Sequence, residues 1–544
     1  MLLFKTIFAN LSPVYSKPLK DHSLKHHLFI FIPFYIGLLH AQTIDKDCRV
    51  GYESIRTSDL RGHLTILASD SLEGRETTFP GQKKATNYIA DIFKKLNLVP
   101  IGDNGSYFQH FDVDVLRVNP ETKIVSEIDG IKKKFTWEKD FIAEGAKDTT
   151  VSGPVAFVGF TDTELDSTAQ AKLSGRIVFV FIDRKDYASD TSQAATMRRF
   201  FAIRHDAGAL AALMIPDREG PATFKDAQKI ISSFGRDNGS MQMKGVPPRV
   251  RSQSVRFIVS PSLAEDVLNA SGKTLQQLRT EAMQDQQFSP LFLDNVIITI
   301  ESKVCRETKQ TENVLGLVPG TDPKLKAQIV AFTAHYDHLG KNKDGVIFPG
   351  ADDDGSGTAT ILNLAEAFSK NPIKPRRSLL FMTVVGEEKG LFGSFYYTNN
   401  PIIPLNQTIA DLNIDMIGRL DTLHEARRDS NSIFVIGSDK ISLELDSLLQ
   451  VANKESEQLD LDYKYNNESD PEQYYRRSDH YNFAKNGVPI VFFFDGTHAD
   501  YHKPTDTVEK ILFERMVRIE HVIYDLGWKL AQFDRLLAKK SLLQ

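Results

Sequence analysis

The sequence predicts an α/β protein, a mostly parallel mixed sheet with helices on both faces, interrupted by a compact β-rich insert. Near-continuous apolar runs alternate with helical patterns from about Asn313 onward: "IVAFTAH", "SLLFMTVVGEE", "IADLNIDMIG", "SIFVIGS" and "VPIVFFFDG". Strands apolar on both alternations have to be covered on both faces, which is the habit of parallel sheets. Helical segments such as "GTATILNLAEAFSK" supply the covers and the crossovers, and "KILFERMVRIEHVIYDLGWKLAQF" completes one layer. Between about Val151 and Ser260 the texture changes to short β-rich runs, "VSGPVAFVGF", "GRIVFVFID" and "VRFIVS", with "RHDAGALAALMI" as a helix and strand among them.

Taken in chain order, the first segment reads as an export signal over residues 1–41. A long basic stretch precedes "LFIFIPFYIGLL", and "LHA" offers small residues for cleavage near Ala41. The apolar core from Leu28 to Leu39 is too short to span about 30 Å of hydrocarbon, and Pro33 interrupts it, so no stable membrane anchor is expected after cleavage. Next, "QKKATNYIADIFKKLNL" places Ala85, Tyr88, Ile89, Ile92, Phe93 and Leu96 at helical spacing, with one buried face. The insert is expected over 140–275, dividing a main domain into residues 50–135 and 285–540.

Composition narrows the functional classes. The 544 residues are 41% hydrophobic and 25% charged with a formal charge of -5, an ordinary globular balance that offers no basic surface for nucleic acid. Cys48 and Cys305 are the only cysteines, so neither a disulfide scaffold nor a multi-cysteine zinc site is available, and whether the two pair stays open.

The stretch "GADDDGSGTA", Gly350 to Ala359, sets three acids between glycines ahead of a helix. An EF-hand reading fails, because taking Gly355 as the turn glycine puts Ile361 where a bidentate Glu belongs. A phosphate cradle lacks a Lys and would face repelling carboxylates. Ser356 has no Gly-x-Ser-x-Gly frame. Other apolar strands, however, run into metal-type residues: His335, the Glu387–Glu388 pair, Asp415 and, after "VFFFDG", His502. Ligands gather outside the carboxyl ends of strands in an open parallel sheet, so these stretches and the acid loop can converge. Two His, two Asp and one Glu form a mixed nitrogen and oxygen set suited to zinc. They overfill one tetrahedral ion, whereas two ions sharing a bridging carboxylate keep an open position each.

Together "AHYDHLG", "PGADDDGSGTA", "VVGEEKGLFGS", "NIDMIGR" and "YHKPTDT" resemble the clan MH di-zinc aminopeptidases, secreted and periplasmic exopeptidases with a phosphorylase/hydrolase-like α/β fold. "LASDSLEGRE" and "GDNGSYFQHF" are similar to this family's N-terminal stretch, and the insert to its protease-associated (PA) domain. The resemblance implies two Zn2+ per chain, with Asp353 bridging, His335 and Asp415 on one ion, and Glu388 and His502 on the other. It also implies a cis peptide from Asp353 to Asp354, Glu387 as general base, and Tyr501 as donor to the oxyanion. Asp337 is expected to accept the second ring N–H of His335. Asp352 and Asp354 are read as loop structure, accepting from nearby backbone amides. Asp479 or His480 lines the cleft, or else Ser478 caps a helix there; His338, His480 and His498 are left outside the ligand set.

The expected protein is thus a secreted or periplasmic zinc metallopeptidase acting on peptide substrates, an aminopeptidase in which the insert limits access to short or flexible chains. Its rivals are a carboxypeptidase-like member, a single-zinc glutaminyl cyclase-like relative, and a non-catalytic receptor-like protein. The last has lost ligands in known cases, whereas every ligand position here is filled.

Overall fold

Every residue of the run Ile329–His335 is buried, and its side chains alternate between two cores. Val330, Phe332 and Ala334 join one apolar cluster, Ile329 and Ala331 another, as the two-residue period of a doubly covered strand requires. The computed structural model describes residues 44–144, 147–161, 163, 165–182, 207–216, 224, 240–246, 256–284, 288–467 and 469–540. The expected export signal at 1–41 lies outside the described residues, as do Arg204 to Asp206 at the start of the helix expected in "RHDAGALAALMI".

Four parallel strands form the centre of the first sheet: β1 (Ile329–His335), β2 (Ser378–Val384), β3 (Thr408–Ile414) and β4 (Ile490–Phe494). Their order is β4-β3-β1-β2, so the chain leaves β1 toward β2 on one side and returns to β3 on the other. That reversal is the switch point at which open α/β sheets bind ligands. The expectation of a mostly parallel sheet holds only at this centre. Val304–Val318 joins β2 antiparallel and carries Phe108–Val118 beside it, while Ser432–Ile436 runs antiparallel to β4. The flanks need no helix on both faces; Val304–Val318 is largely exposed before Glu312 and buried after it, so its outer half tolerates solvent.

Helices cover both faces. On one, α1 (Pro80–Lys95) packs Ala85, Ile89 and Phe93 inward, with Pro80 in its first turn where a missing N–H costs nothing. Beside it lie α2 (Gly355–Lys370) and, at the far end of the chain, α4 (Phe513–Gln532); Phe368 of α2 stacks on Tyr524 of α4 at 4.1 Å. On the other face α3 (Phe392–Asn399) buries Tyr397 against Leu380 and Met382.

A second sheet of eight strands holds Thr149–Phe160, Ile177–Ile182, Ala211–Pro216 and Arg256–Val259 as its parallel part. It also takes Lys123–Ile128, Ile131–Thr136 and Leu291–Ser302, so it draws strands from both sides of the 140–275 span. One strand crosses over: Ser240–Met243 pairs antiparallel with Phe108–Val118 and so belongs to the first sheet. Cys48 is buried, Cys305 exposed, and both are free thiols. Among the described residues no helix is long and apolar enough to cross a membrane.

Candidate metal centre

The carboxyl ends of the central strands deliver the expected side chains to one place. His335 is the last residue of β1, Asp415 the first after β3, and Glu387 and Glu388 sit in the turn after β2. Asp353 precedes α2, and the Asp353–Asp354 peptide is cis. His502 comes from the loop after β4, at a left-handed φ of 55°.

Asp353 stands in the middle and presents its two oxygens to different neighbours. Oδ1 lies 3.3 Å from His335 Nε2, which is 3.6 Å from Asp415 Oδ1. Oδ2 lies 3.0 Å from His502 Nε2, which is 3.3 Å from Glu388 Oε2. Donors around a tetrahedral zinc with bonds of ~2.0–2.1 Å are about 3.3–3.4 Å apart, so this spacing suits a metal. Asp353 Oδ2 and Glu388 Oε1 are also buried without a hydrogen-bond partner, which a cation would relieve. Among the described residues the metal-capable groups are His335, Asp353 and Asp415, and His338, Asp353 and Glu388.

The supporting contacts explain how so much negative charge is held in place. Asp354 accepts from the backbone N–H groups of His335, Gly357 and Met416, and Asp352 Oδ1 from Gly418, the loop role expected for both. Asp506 Oδ2 accepts from the N–H groups of Asp352 and Asp353, at 3.0 and 3.3 Å. Beneath the turn, the fully buried Arg75 donates to the carbonyls of Leu67, Tyr336, Pro349 and Gly350. Neither Asp506 nor Arg75 stood out in the sequence, because each acts through distant backbone. "LEGRE" and "HKPTDT" contained them, but no spacing marks such a brace.

Several side chains differ from expectation. His335 Nδ1 lies 3.1 Å from the backbone oxygen of Asp337 and 3.7 Å from its carboxylate, so the carbonyl rather than the side chain is placed to fix the ring. The Asp337 carboxylate instead accepts from Thr77 Oγ1 and from the Glu387 N–H, holding the turn that carries the Glu pair. Ser478 does not cap a helix; its Oγ donates to Asp415 Oδ2. Asp479 accepts from Ser394 Oγ, and His480 Nε2 is 2.9 Å from the Tyr475 carbonyl, so both are tied to structure. His498 faces Asp352 at 3.3 Å. His338, left outside the ligand set from sequence, is fully buried beside Glu388.

Burial raises the pKa of Glu387 well above the ordinary range; Glu388 and Asp415 add to this while His335 opposes it. For His502 burial favours the neutral ring, yet Glu388 and Asp353 push it up to about 10. A cation entering here displaces protons from such imidazoles. Glu387 opens on a pocket shared with His335, Asp353, Asp415 and Tyr501, and walled by Met416, Tyr474, Phe492 and Phe494. The Tyr501 ring stacks on His502 at 3.8 Å.

The fold and this cluster define an α/β protein with a buried carboxylate and histidine centre able to hold a metal ion. Residues 313–527 match the model of Peptidase family M28. A probable leucine aminopeptidase of Trichophyton verrucosum is 30% identical over 228 residues, 40% of this chain and 57% of that protein. Aminopeptidase YwaD of Bacillus subtilis is 27% identical over 226 residues, 38% of this chain and 42% of the relative. The chain thus spans about half the length of the curated relatives it matches. Among solved structures, an aminopeptidase from Aneurinibacillus sp. strain AM-1 aligns with a TM-score of 0.54 at 18% identity, covering 90% of this chain and 97% of that one. A zinc aminopeptidase from Bacillus subtilis aligns at 0.51 and 16% identity, covering 88% and 96%. At these identities they show a shared fold.

Proposed function

We propose that this chain is a secreted or periplasmic di-zinc exopeptidase that removes N-terminal residues from peptides. The observation that carries the reading is Asp353, whose Oδ1 and Oδ2 face separate donor groups, His335 with Asp415 and His502 with Glu388. Bound zinc would supply a polarised water of lowered pKa and draw charge from the scissile carbonyl. The relatives named as aminopeptidases support the direction of attack. The second sheet corresponds in this reading to a protease-associated insert.

The chain's own groups divide the work. Glu387 takes the proton from the attacking water and returns it to the leaving amine, from a turn held by Asp337. Tyr501 borders the pocket, which supports it as the donor to the developing oxyanion. Met416, Tyr474, Phe492 and Phe494 form an apolar wall that suits a hydrophobic or aromatic N-terminal side chain.

A second reading, carboxypeptidase action, is favoured by Arg477. It lines the same pocket, 4.6 Å over the Tyr474 ring and 3.7 Å from Glu472, where a guanidinium can hold a carboxylate. One experiment separates the two: purified protein is offered free-amino, amino-blocked and carboxy-blocked peptides, with chelator and with zinc restored. Cleavage that needs a free amine and tolerates a blocked carboxyl supports the first reading. The opposite pattern rejects it, and activity indifferent to chelator rejects both.

A further inference from the structure

His338 follows His335 by three residues but does not share its group. Its side chain is fully buried, and neither ring nitrogen has a hydrogen-bond partner. Nδ1 lies 2.9 Å from Glu388 Oε1 and 3.8 Å from Asp353 Oδ2. At 2.9 Å an N–H and a carboxylate oxygen can be hydrogen-bonded, yet neither His338 Nδ1 nor Glu388 Oε1 has a hydrogen-bond partner. Two buried, unpaired ligand atoms side by side suit neighbouring ligands of one cation, and His338, Asp353 and Glu388 form a group able to hold one. Leaving both unpaired and buried is otherwise costly, more so where charge is involved.

We propose that His338 is a further protein ligand of the metal ion held by Asp353, Glu388 and His502. The proposal rests on the two-zinc reading and makes the centre asymmetric. One ion gains four protein side chains, the complement of a closed structural site. The other keeps three, His335, Asp353 and Asp415, and a free position for water or substrate. The pocket agrees with this division: it is lined by His335, Asp353 and Asp415 together with Glu387, and by neither Glu388, His338 nor His502. The base therefore stands beside the open ion.

The test titrates metal-free wild type, His338→Ala, His338→Asn and His335→Ala with zinc against a chromophoric chelator. Cobalt-substituted samples are read by visible absorption, and thermal unfolding reports on folding. Wild type is expected to take two zincs, and His338→Ala to weaken one of them beyond the ~10–100-fold that loss of an orienting partner costs. His338→Asn is expected not to restore it, and the cobalt band altered by His338→Ala to differ from that altered by His335→Ala. Two zincs of unchanged affinity in His338→Ala overturn the proposal alone. A modest loss rescued by Asn also overturns it, making His338 a positioning residue for Glu388. A wild-type chain that takes up a single zinc overturns the two-zinc reading and the proposal together, and shows this before any variant is made.

Discussion

Ser478 Oγ donates to Asp415 Oδ2 at 2.6 Å, while Asp415 Oδ1 stays 3.6 Å from His335 Nε2. One carboxylate oxygen is thereby tied down and the other turned toward the donor group. Removing the tie lets the carboxylate rotate, so Ser478→Ala should cut zinc affinity ~10–100-fold. Chelator competition checks this; an unchanged affinity would show that the hydroxyl has no orienting role.

Glu387 faces the pocket, but the donor pairs around Asp353 are complete without it. Glu387→Gln should therefore keep its metal while kcat falls ~10²–10⁴-fold, the range of a lost general base. Metal analysis beside steady-state kinetics decides the matter. Loss of zinc in step with activity would instead make Glu387 part of the ligand set.

Arg75 spends its guanidinium on four main-chain carbonyls under the acid turn. In Arg75→Met the Leu67, Tyr336 and Pro349 carbonyls lose this donor, while Gly350 keeps the N–H of Gly355, and unfolding in urea should show a loss of about 3 kcal/mol or more. Arg75→Lys should recover little, because one ammonium cannot reproduce a forked set of donors.

Asp411 lies in the core of β3, where burial raises its pKa from 3.8 to about 8 against the hydrogen bond from Thr333; Asp479 adds to the rise. The folded state holds this proton more tightly than the unfolded chain. The associated stability is therefore complete below about pH 4 and lost as pH climbs to 8, by at most ~1.4 kcal/mol per unit. Urea midpoints from pH 5 to 8 should decline in wild type and decline less in Asp411→Asn. Parallel slopes would remove Asp411 as the cause.

The centre of the fold was legible because doubly buried strands leave unbroken apolar runs: "IVAFTAH" matches β1 residue for residue. His335 and Asp415 were legible because they end or directly follow such runs, and Glu388 and His502 because they lie in the loops after them. What lay hidden acts across the chain. Arg75 meets Gly350 only through the fold, and His338 sat inside the motif "AHYDHLG" with no pattern to tell a ligand from an ordinary buried ring. The strands Lys123–Ile128 and Ile131–Thr136 did carry a local signal, the Asp129-Gly130 pair with φ of 51° and 78° that a two-residue hairpin demands. Their membership in the second sheet depends on pairing with Leu291–Ser302, far along the chain.

Ser240–Met243 is a short seam with a large reach. Because it seals the outer margin of Phe108–Val118, cutting out residues 140–275 would bare a row of main-chain donors and acceptors on the first sheet. The trimmed chain would then be prone to self-association through that margin, whatever its activity.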